Sequence, residues 1–215
     1  MFSWNKTSWG TDDMDTFVAC SDGLISDTGY GIVAGTKVAT VIGWRPVESI
    51  VAGDQVLTFD GGLQTVIEVR RQILFAAATS VPYAWRPLQV PIGALGNRTT
   101  MHILPGQNVL IESDIAEELY GDPFALIPAA ALEGYKGITR ADPTMRIEVA
   151  TLHFAQDQIV YANIGALFMC PRAGDLMHDL FATPVPTPYK ALSMSEANMV
   201  LSWLEVEDAG IAACA

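Results

Sequence analysis

Covalent chemistry in this chain of 215 residues would have to come from a small set of side chains: three cysteines, three histidines and the serines that could partner them. A hydrolytic couple from Ser80, Ser113 or Ser195 with His102, His153 or His178 would need its serine on a sharp exposed turn, and none of these serines sits in a Gly-x-Ser-x-Gly elbow. Cys20, Cys170 and Cys214 are odd in number and lack Cys-x-x-Cys spacing, which predicts reduced thiols and no structural zinc. Cys20, after Phe17-Val18-Ala19, reads as a small buried hydrophobe. His178 beside Asp179 has no third ligand at a usable spacing, and His153 between Leu152 and Phe154 reads as a strand residue with one face buried. Asp114, Glu117 and Glu118 could gather a hard cation, but the Asp/Asn-Gly loop of a calcium hand is absent. They read as the solvated face of a helix with acids near its positive end. The residue types therefore predict no catalytic residue, no cofactor and no metal.

The elements that carry these residues divide the chain in three. Residues 1–30 are polar and Gly-rich, with Asp12, Asp13 and Asp15 and two turn formers, and read as an N-terminal arm. From Gly31 to Pro171, short runs of Val, Ile, Leu and Thr alternate with Gly, Pro and Asp every eight to twelve residues, the spacing of an all-β body. Strands are predicted at 37–41, 55–59, 64–74, 88–92, 108–112, 125–128, 147–154 and 159–162. One helix interrupts them from Ser113 to Tyr120, opening on N-cap types, with Glu117 at the capping-box position relative to Asp114 and Gly121 as its stop. Residues 172–215 hold a Pro-alternating spacer at 183–189 and then a helix over 195–209. Ser195 is its expected cap, Met199, Val200, Trp203, Leu204 and Val206 form one broad apolar side, and Gly210 ends it. That helix either returns to its own β body or packs on a neighbouring subunit.

Composition narrows the function classes. With 24 acidic against 12 basic residues, the net charge of −12 repels phosphate backbones, and no basic run exceeds Arg70-Arg71, so nucleic-acid binding is not expected. Half of the residues are hydrophobic, too many for a disordered chain, yet no stretch reaches the ~18 apolar residues of a membrane span. The N-terminus lacks a basic flank followed by an apolar core, so no secretory signal peptide is expected and synthesis in a cytoplasm is.

Five blocks in order carry a resemblance: Gly31-Ile-Val-Ala-Gly-Thr-Lys-Val-Ala-Thr with Gly43-Trp-Arg-Pro-Val-Glu-Ser-Ile; Gly53-Asp-Gln-Val-Leu-Thr-Phe-Asp-Gly-Gly; Pro105-Gly-Gln-Asn-Val-Leu-Ile; Phe124-Ala-Leu-Ile-Pro; and Gln158-Ile-Val-Tyr-Ala-Asn-Ile-Gly. Over residues 30–171 this resembles a Hint (Hedgehog/intein) domain of the bacterial type. The resemblance implies a pseudo-twofold fold of bent β strands and, in active members, self-processing. A first Cys or Ser attacks the preceding peptide bond, a His protonates the departing amine, and fixed donors steady the oxyanion. Here the block resembling Cys-Phe-x-x-Gly-Thr begins with Gly31, which has no side chain to attack with. The position resembling the His of Ser-Pro-Gln-His is Asn108, and Asp157-Gln158 stands where relatives carry His-Glu. An amide donates a hydrogen bond but does not deliver a proton. Gly35, Gly53, Gly61 and Gly62 read as turn residues, Asp54 and Asp60 as turn closers, and Glu48 as paired or solvated.

Three functions follow from this reading. The first is a non-enzymatic structural or interaction protein on a degenerate Hint scaffold, a homo-oligomer or a subunit among neighbours in a particle such as a phage-like capsid, cement layer or tail. The second is a self-processing Hint enzyme with an unrecognised nucleophile. The third is a ligand- or partner-binding module using the vestigial cleft near Gly31, Asn108 and Asp157.

Overall fold

The computed structural model describes residues 29–74, 81–141, 147–174 and 190–213. The N-terminal arm to residue 28, the Pro-alternating spacer, Cys20, Ser80, His178 and Cys214 lie outside the described residues. Short β-branched runs broken by turn formers give fifteen strands here: β1 (Ile32–Val33), β2 (Lys37–Thr40), β3 (Gly43–Pro46), β4 (Gln55–Thr58), β5 (Gly62–Thr65), β6 (Glu68–Leu74), β7 (Leu88–Val90), β8 (Met101–Ile103), β9 (Asn108–Glu112), β10 (Phe124–Pro128), β11 (Thr139–Arg140), β12 (Ile147–His153), β13 (Gln158–Ala162), β14 (Ala166–Cys170) and β15 (Lys190–Ala191). Among the described residues two α-helices join them, α1 (Asp114–Tyr120) and α2 (Met194–Ala213).

The strands form two sheets. One has six strands in the order β11-β7-β8-β1-β12-β6; the other has nine, in the order β15-β10-β9-β14-β13-β2-β4-β5, with β3 paired to β2. Pairing between named strands is antiparallel except where β15 runs parallel to β10. The sequence predicts one strand over 64–74, and the structure divides it. Val66 N–H donates to Asp54 O on the nine-stranded side, Ile67 N–H donates to His153 O on the other, and the chain changes sheet between them. β1 and β2 make the same passage through Ala34–Thr36. The mainly β architecture is as expected.

The helices correct three details of the sequence reading. α1 is capped by Ser113, whose Oγ accepts from Ala116 N–H at 3.4 Å, so the box anchored on Asp114 does not form. α2 is capped by Ser193 rather than Ser195. Ser193 N–H and Oγ–H both donate to Glu196 at 2.8 Å while Glu196 N–H returns to Ser193 Oγ, a reciprocal capping box. α2 also continues through Gly210 to Ala213, since a single glycine costs a helix only ~1 kcal/mol.

α2 settles on its own chain. Ala197, Val200 and Leu201 are buried with Leu192 in the main core, against the turn at Ala129–Leu132, β10 and α1. The single apolar side expected of this helix is split: Val200 and Leu204 face inward, whereas Met199, Trp203 and Val206 are exposed. Strand faces supply the rest of the core, with Val38, Val56, Val109, Ile127, Leu152, Val160 and Phe168 all buried between the sheets. Cys170 lies among them, and burial pushes its thiol up to about 12.

Two outcomes are expected. Leu201→Ala should lower the unfolding free energy by about 2–4 kcal/mol in urea titrations, while Trp203→Ala should stay within about 1 kcal/mol. Equal losses would mean that α2 is not seated as described. In the folded protein at pH 8, Cys170 should resist iodoacetamide in site-resolved mass spectrometry and react only after unfolding, because the thiolate is the reactive form. Rapid native labelling of Cys170 would contradict its burial.

Candidate functional site

The first block of the sequence enters the fold beside the turn that precedes β9. Gly106 N–H donates to Gly29 O at 2.8 Å, and a Cβ on Gly106 would stand 2.6 Å from that oxygen, so the two backbones meet only because residue 106 has no side chain. Two residues further on, Gly31 N–H donates to Gln107 Oε1 at 3.0 Å, across 76 positions of sequence. The same carboxamide donates from Nε2 to Asn108 O at 2.9 Å and to Met169 O at 2.8 Å. Gln107 is only 1% exposed, and its own N–H and C=O are bonded to Leu104 O and Ala129 N–H. One buried amide thus ties the incoming chain, the turn before β9 and β14 together.

Asn108, at the position resembling the motif histidine, opens β9 opposite Pro128, half-buried, one residue beyond Gln107. The side chain that reaches Gly31 is Gln107. Like an asparagine it donates and accepts hydrogen bonds and does not serve as a general acid.

Gly31 has φ +125°, a backbone region that residues with side chains rarely adopt. A Cβ there would stand 2.5 Å from Val149 Cγ1 and 2.9 Å from Thr151 Oγ1. Both neighbours come from one face of β12, because alternation turns Val149, Thr151 and His153 one way and Ala150 and Leu152 into the main core. The space in which a nucleophilic side chain would begin is filled by these two residues. As it stands, the arrangement fixes a peptide N–H in place; residue 31 itself has no nucleophilic side chain, and the polar side chains beside it are the Gln107 carboxamide and the Thr151 hydroxyl.

The outgoing chain is fastened next to this face. Phe154 N–H donates to Pro171 O at 3.2 Å, Ala173 N–H to Phe154 O at 2.6 Å, and Arg172 N–H to Asp157 Oδ1 at 2.8 Å. His153 places Nδ1 3.2 Å from Arg172 O, which fits the tautomer with the hydrogen on Nδ1, and its buried Nε2 has no hydrogen-bond partner among the described residues. Asp157 therefore accepts a backbone hydrogen bond where the resemblance implies a histidine, and Gln158 pairs with Cys170 in the sheet. Asp157 is joined to His153 through Arg172 and has no described bond to Gly31.

Other candidates are dispersed. Ser113 caps α1, Ser195 is exposed on α2, and His102 points outward on β8 opposite Gln89. Glu48 accepts from Gly35 N–H at 3.0 Å, and Asp54 accepts from Val51 N–H while pairing with Arg45 at 3.1 Å, the turn-closing role expected of it. Gly35, Gly53 and Gly62 have positive φ; Gly61 does not, and is crowded instead by Gln158 Oε1 at 2.8 Å from an added Cβ. Asp60 has its carboxyl raised above the usual range by burial and then by Asp122. Among the described residues no group of three or more His, Cys, Asp or Glu side chains is placed to hold a metal ion, and no helix is long and apolar enough to cross a membrane.

Comparison with solved structures finds a bacterial intein-like domain from Clostridium thermocellum, 17% identical, with 65% of this chain and 97% of that one covered at a TM-score of 0.46. A splice-inactive AceL NrdHF class 3 split intein is 14% identical, with 67% and 99% covered at 0.44, and the gp41-1 intein is 15% identical, with 67% and 100% covered at 0.42. No curated protein matches the chain. The sequence profile of the Hint domain matches residues 30–167, nearly the whole span from the incoming chain at Gly31 to the outgoing strand β14. The chain belongs to the Hint domain family.

Proposed function

We propose that this chain keeps the Hint scaffold as a non-enzymatic structural or interaction module, a subunit placed among protein neighbours in a particle such as a phage-like capsid, cement layer or tail. The observation that carries this reading is Gly31, which has no side chain, sits at φ +125°, and has Val149 and Thr151 where a Cβ would go. Self-processing needs a heteroatom there or an equivalent nucleophile close by, with a proton donor for the departing amine. Gln107 supplies hydrogen bonds and no transferable proton. The arm at 1–30 and the segment from 172 onward are then the attachment devices, and the β body between them sets spacing. The acidic charge of −12 favours protein neighbours over nucleic acid.

The test is intact mass spectrometry of the chain after incubation with a strong thiol or hydroxylamine, which trap a thioester or an ester. Only the full-length mass is expected. A product cut before Gly31, or a trapped acyl species anywhere, would establish an enzyme with another nucleophile and overturn the reading.

The role of the amide yields a second expectation. Gln107→Ala should destabilise the fold by roughly 2–4 kcal/mol, since it leaves Gly31 N–H and Met169 C=O without their partner. The double change Gly31→Cys with Gln107→His should lower stability and leave the chain uncut, because the new Cβ meets Val149 and Thr151. Cleavage regained by that pair would show the seat to be open.

A further inference from the structure

Through its middle the nine-stranded sheet is apolar on both sides. Ile127, Val160 and Phe168 point into the main core, so alternation turns Leu126, Ile159 and Met169 the other way, where they form a second cluster with Leu110, Phe59 and Phe124. Phe59 meets Phe124 edge to face at 5.1 Å and lies 6.2 Å from Tyr161 between ring centroids. Beyond these rings, on β4 and β5, the cross-strand pair Leu57 and Leu63 is 39% and 45% exposed. An antiparallel sheet with one side in water ordinarily carries polar residues on that side. None of the side chains named on this second side is charged, which suits a face that something covers.

The chain itself supplies a segment at the margin of that face. Residues 1–28 join the described structure at Gly29, whose C=O accepts from Gly106 N–H one position before Gln107. Gln107 in turn donates to Met169 O, and Met169 belongs to the cluster. From there to Leu63 the sheet passes through β9, β14, β13, β4 and β5, a width of about 19 Å at the usual strand spacing. Phe17-Val18-Ala19-Cys20, the longest apolar run in the arm, lies nine to twelve residues before Gly29, which is about 30–40 Å of extended chain. The run therefore has the length to reach any part of the face. A segment tethered so close meets its seat at an effective concentration near millimolar, ahead of a partner arriving from solution.

We propose that Phe17-Val18-Ala19-Cys20 of the chain's own arm seats on this side of the nine-stranded sheet, against Leu57, Leu63 and the rings of Phe59, Phe124 and Tyr161, and roots the arm there. Residues 1–16 are then the part of the arm that reaches a neighbour. That role rests on the reading above, whereas the rooting holds whether or not the chain self-processes.

Cys20 reports on the seat. The experiment alkylates the full chain with iodoacetamide at pH 8 and follows each cysteine by site-resolved mass spectrometry. Native Cys20 is expected to react at least tenfold more slowly than in urea. Leu57→Gln with Leu63→Gln should raise the native rate at least tenfold, while Cys170, buried in the main core, stays protected and shows that the body is folded. Phe17→Ser, which leaves the sheet untouched, should raise it as much, and it decides if the glutamine pair does not fold.

The seating is overturned if native Cys20 reacts within twofold of its rate in urea, or if both sets of substitutions change that rate less than twofold. It is overturned too if protection fades on dilution together with dissociation in sedimentation velocity, which would make a second copy the occupant. Faster protease cutting within residues 175–189 in the glutamine pair, with Cys20 still protected, would make that segment the occupant and overturns it as well. Cleavage of the chain in hydroxylamine removes the attachment role of residues 1–16 and leaves the seating untouched.

Discussion

The Gln107 carboxamide is the point at which the two ends of the domain are held to its middle, and much of the remaining geometry follows from satisfying it. Its oxygen accepts from Gly31 and its nitrogen donates to Asn108 and Met169, so three stretches far apart in sequence meet on one planar group. Buried at 1% exposure, that group is costly to leave unpaired and worth only about 1 kcal/mol per bond when paired. The asymmetry makes it a specificity device: any register of β1 or β14 that shifts by one residue strands a donor or an acceptor in the interior. Gly106 and Gly31 are then consequences, since only glycine lets Gly29 close on the turn and lets Gly31 lie beside Val149 and Thr151.

The same constraint explains why the chain changes sheet where it does. β1 belongs to the six-stranded sheet and β2 to the nine-stranded one, and the passage at Ala34–Thr36 begins as soon as the Gly31 N–H has been committed to Gln107. A second passage at Val66–Ile67 carries the chain back, with Val66 bonded to Asp54 and Ile67 to His153. β6 then pairs with β12 over all seven residues, from Ile147 opposite Leu74 to His153 opposite Glu68. That ladder fixes the face of β12 that meets Gly31 and delivers His153 to Arg172. Incoming and outgoing chains thereby meet the same strand: Val149 and Thr151 in its middle border the former, and His153 at its end with Phe154 secures the latter.

How much of this is legible in the sequence depends on side-chain type. β-branched alternation marks β2, β4, β9, β10, β12 and β13 to within a residue or so, and the five ordered blocks are enough by themselves to point to the family. β1, β11 and β15 have two residues each and leave no period to detect, while β14 reads Ala-Leu-Phe-Met-Cys, with no β-branched residue at all. Gln107 is hidden for a different reason. A polar residue in Pro105-Gly-Gln-Asn has the composition of a solvated turn, and its burial is created by a strand 76 positions away. The splitting of α2 is hidden likewise, because its sequence is apolar on more than one side and only the packed body at Ala129–Leu132 selects which side is covered.

On the reading proposed above, the scaffold holds together without reactive groups at these positions. Active-site residues are held in strained or poorly solvated positions, and exchanging them for groups that merely pair backbone atoms tends to raise stability. Backbone hydrogen bonds occupy both places where the resemblance implies chemistry. Where a nucleophile would start, a glycine N–H is bonded to Gln107; where a histidine would stand, the Asp157 carboxylate accepts from Arg172 N–H. Each bond holds the chain at a point where self-processing would require it to be released. On the reading proposed above, rigidity at these two points is what a spacer among other subunits needs.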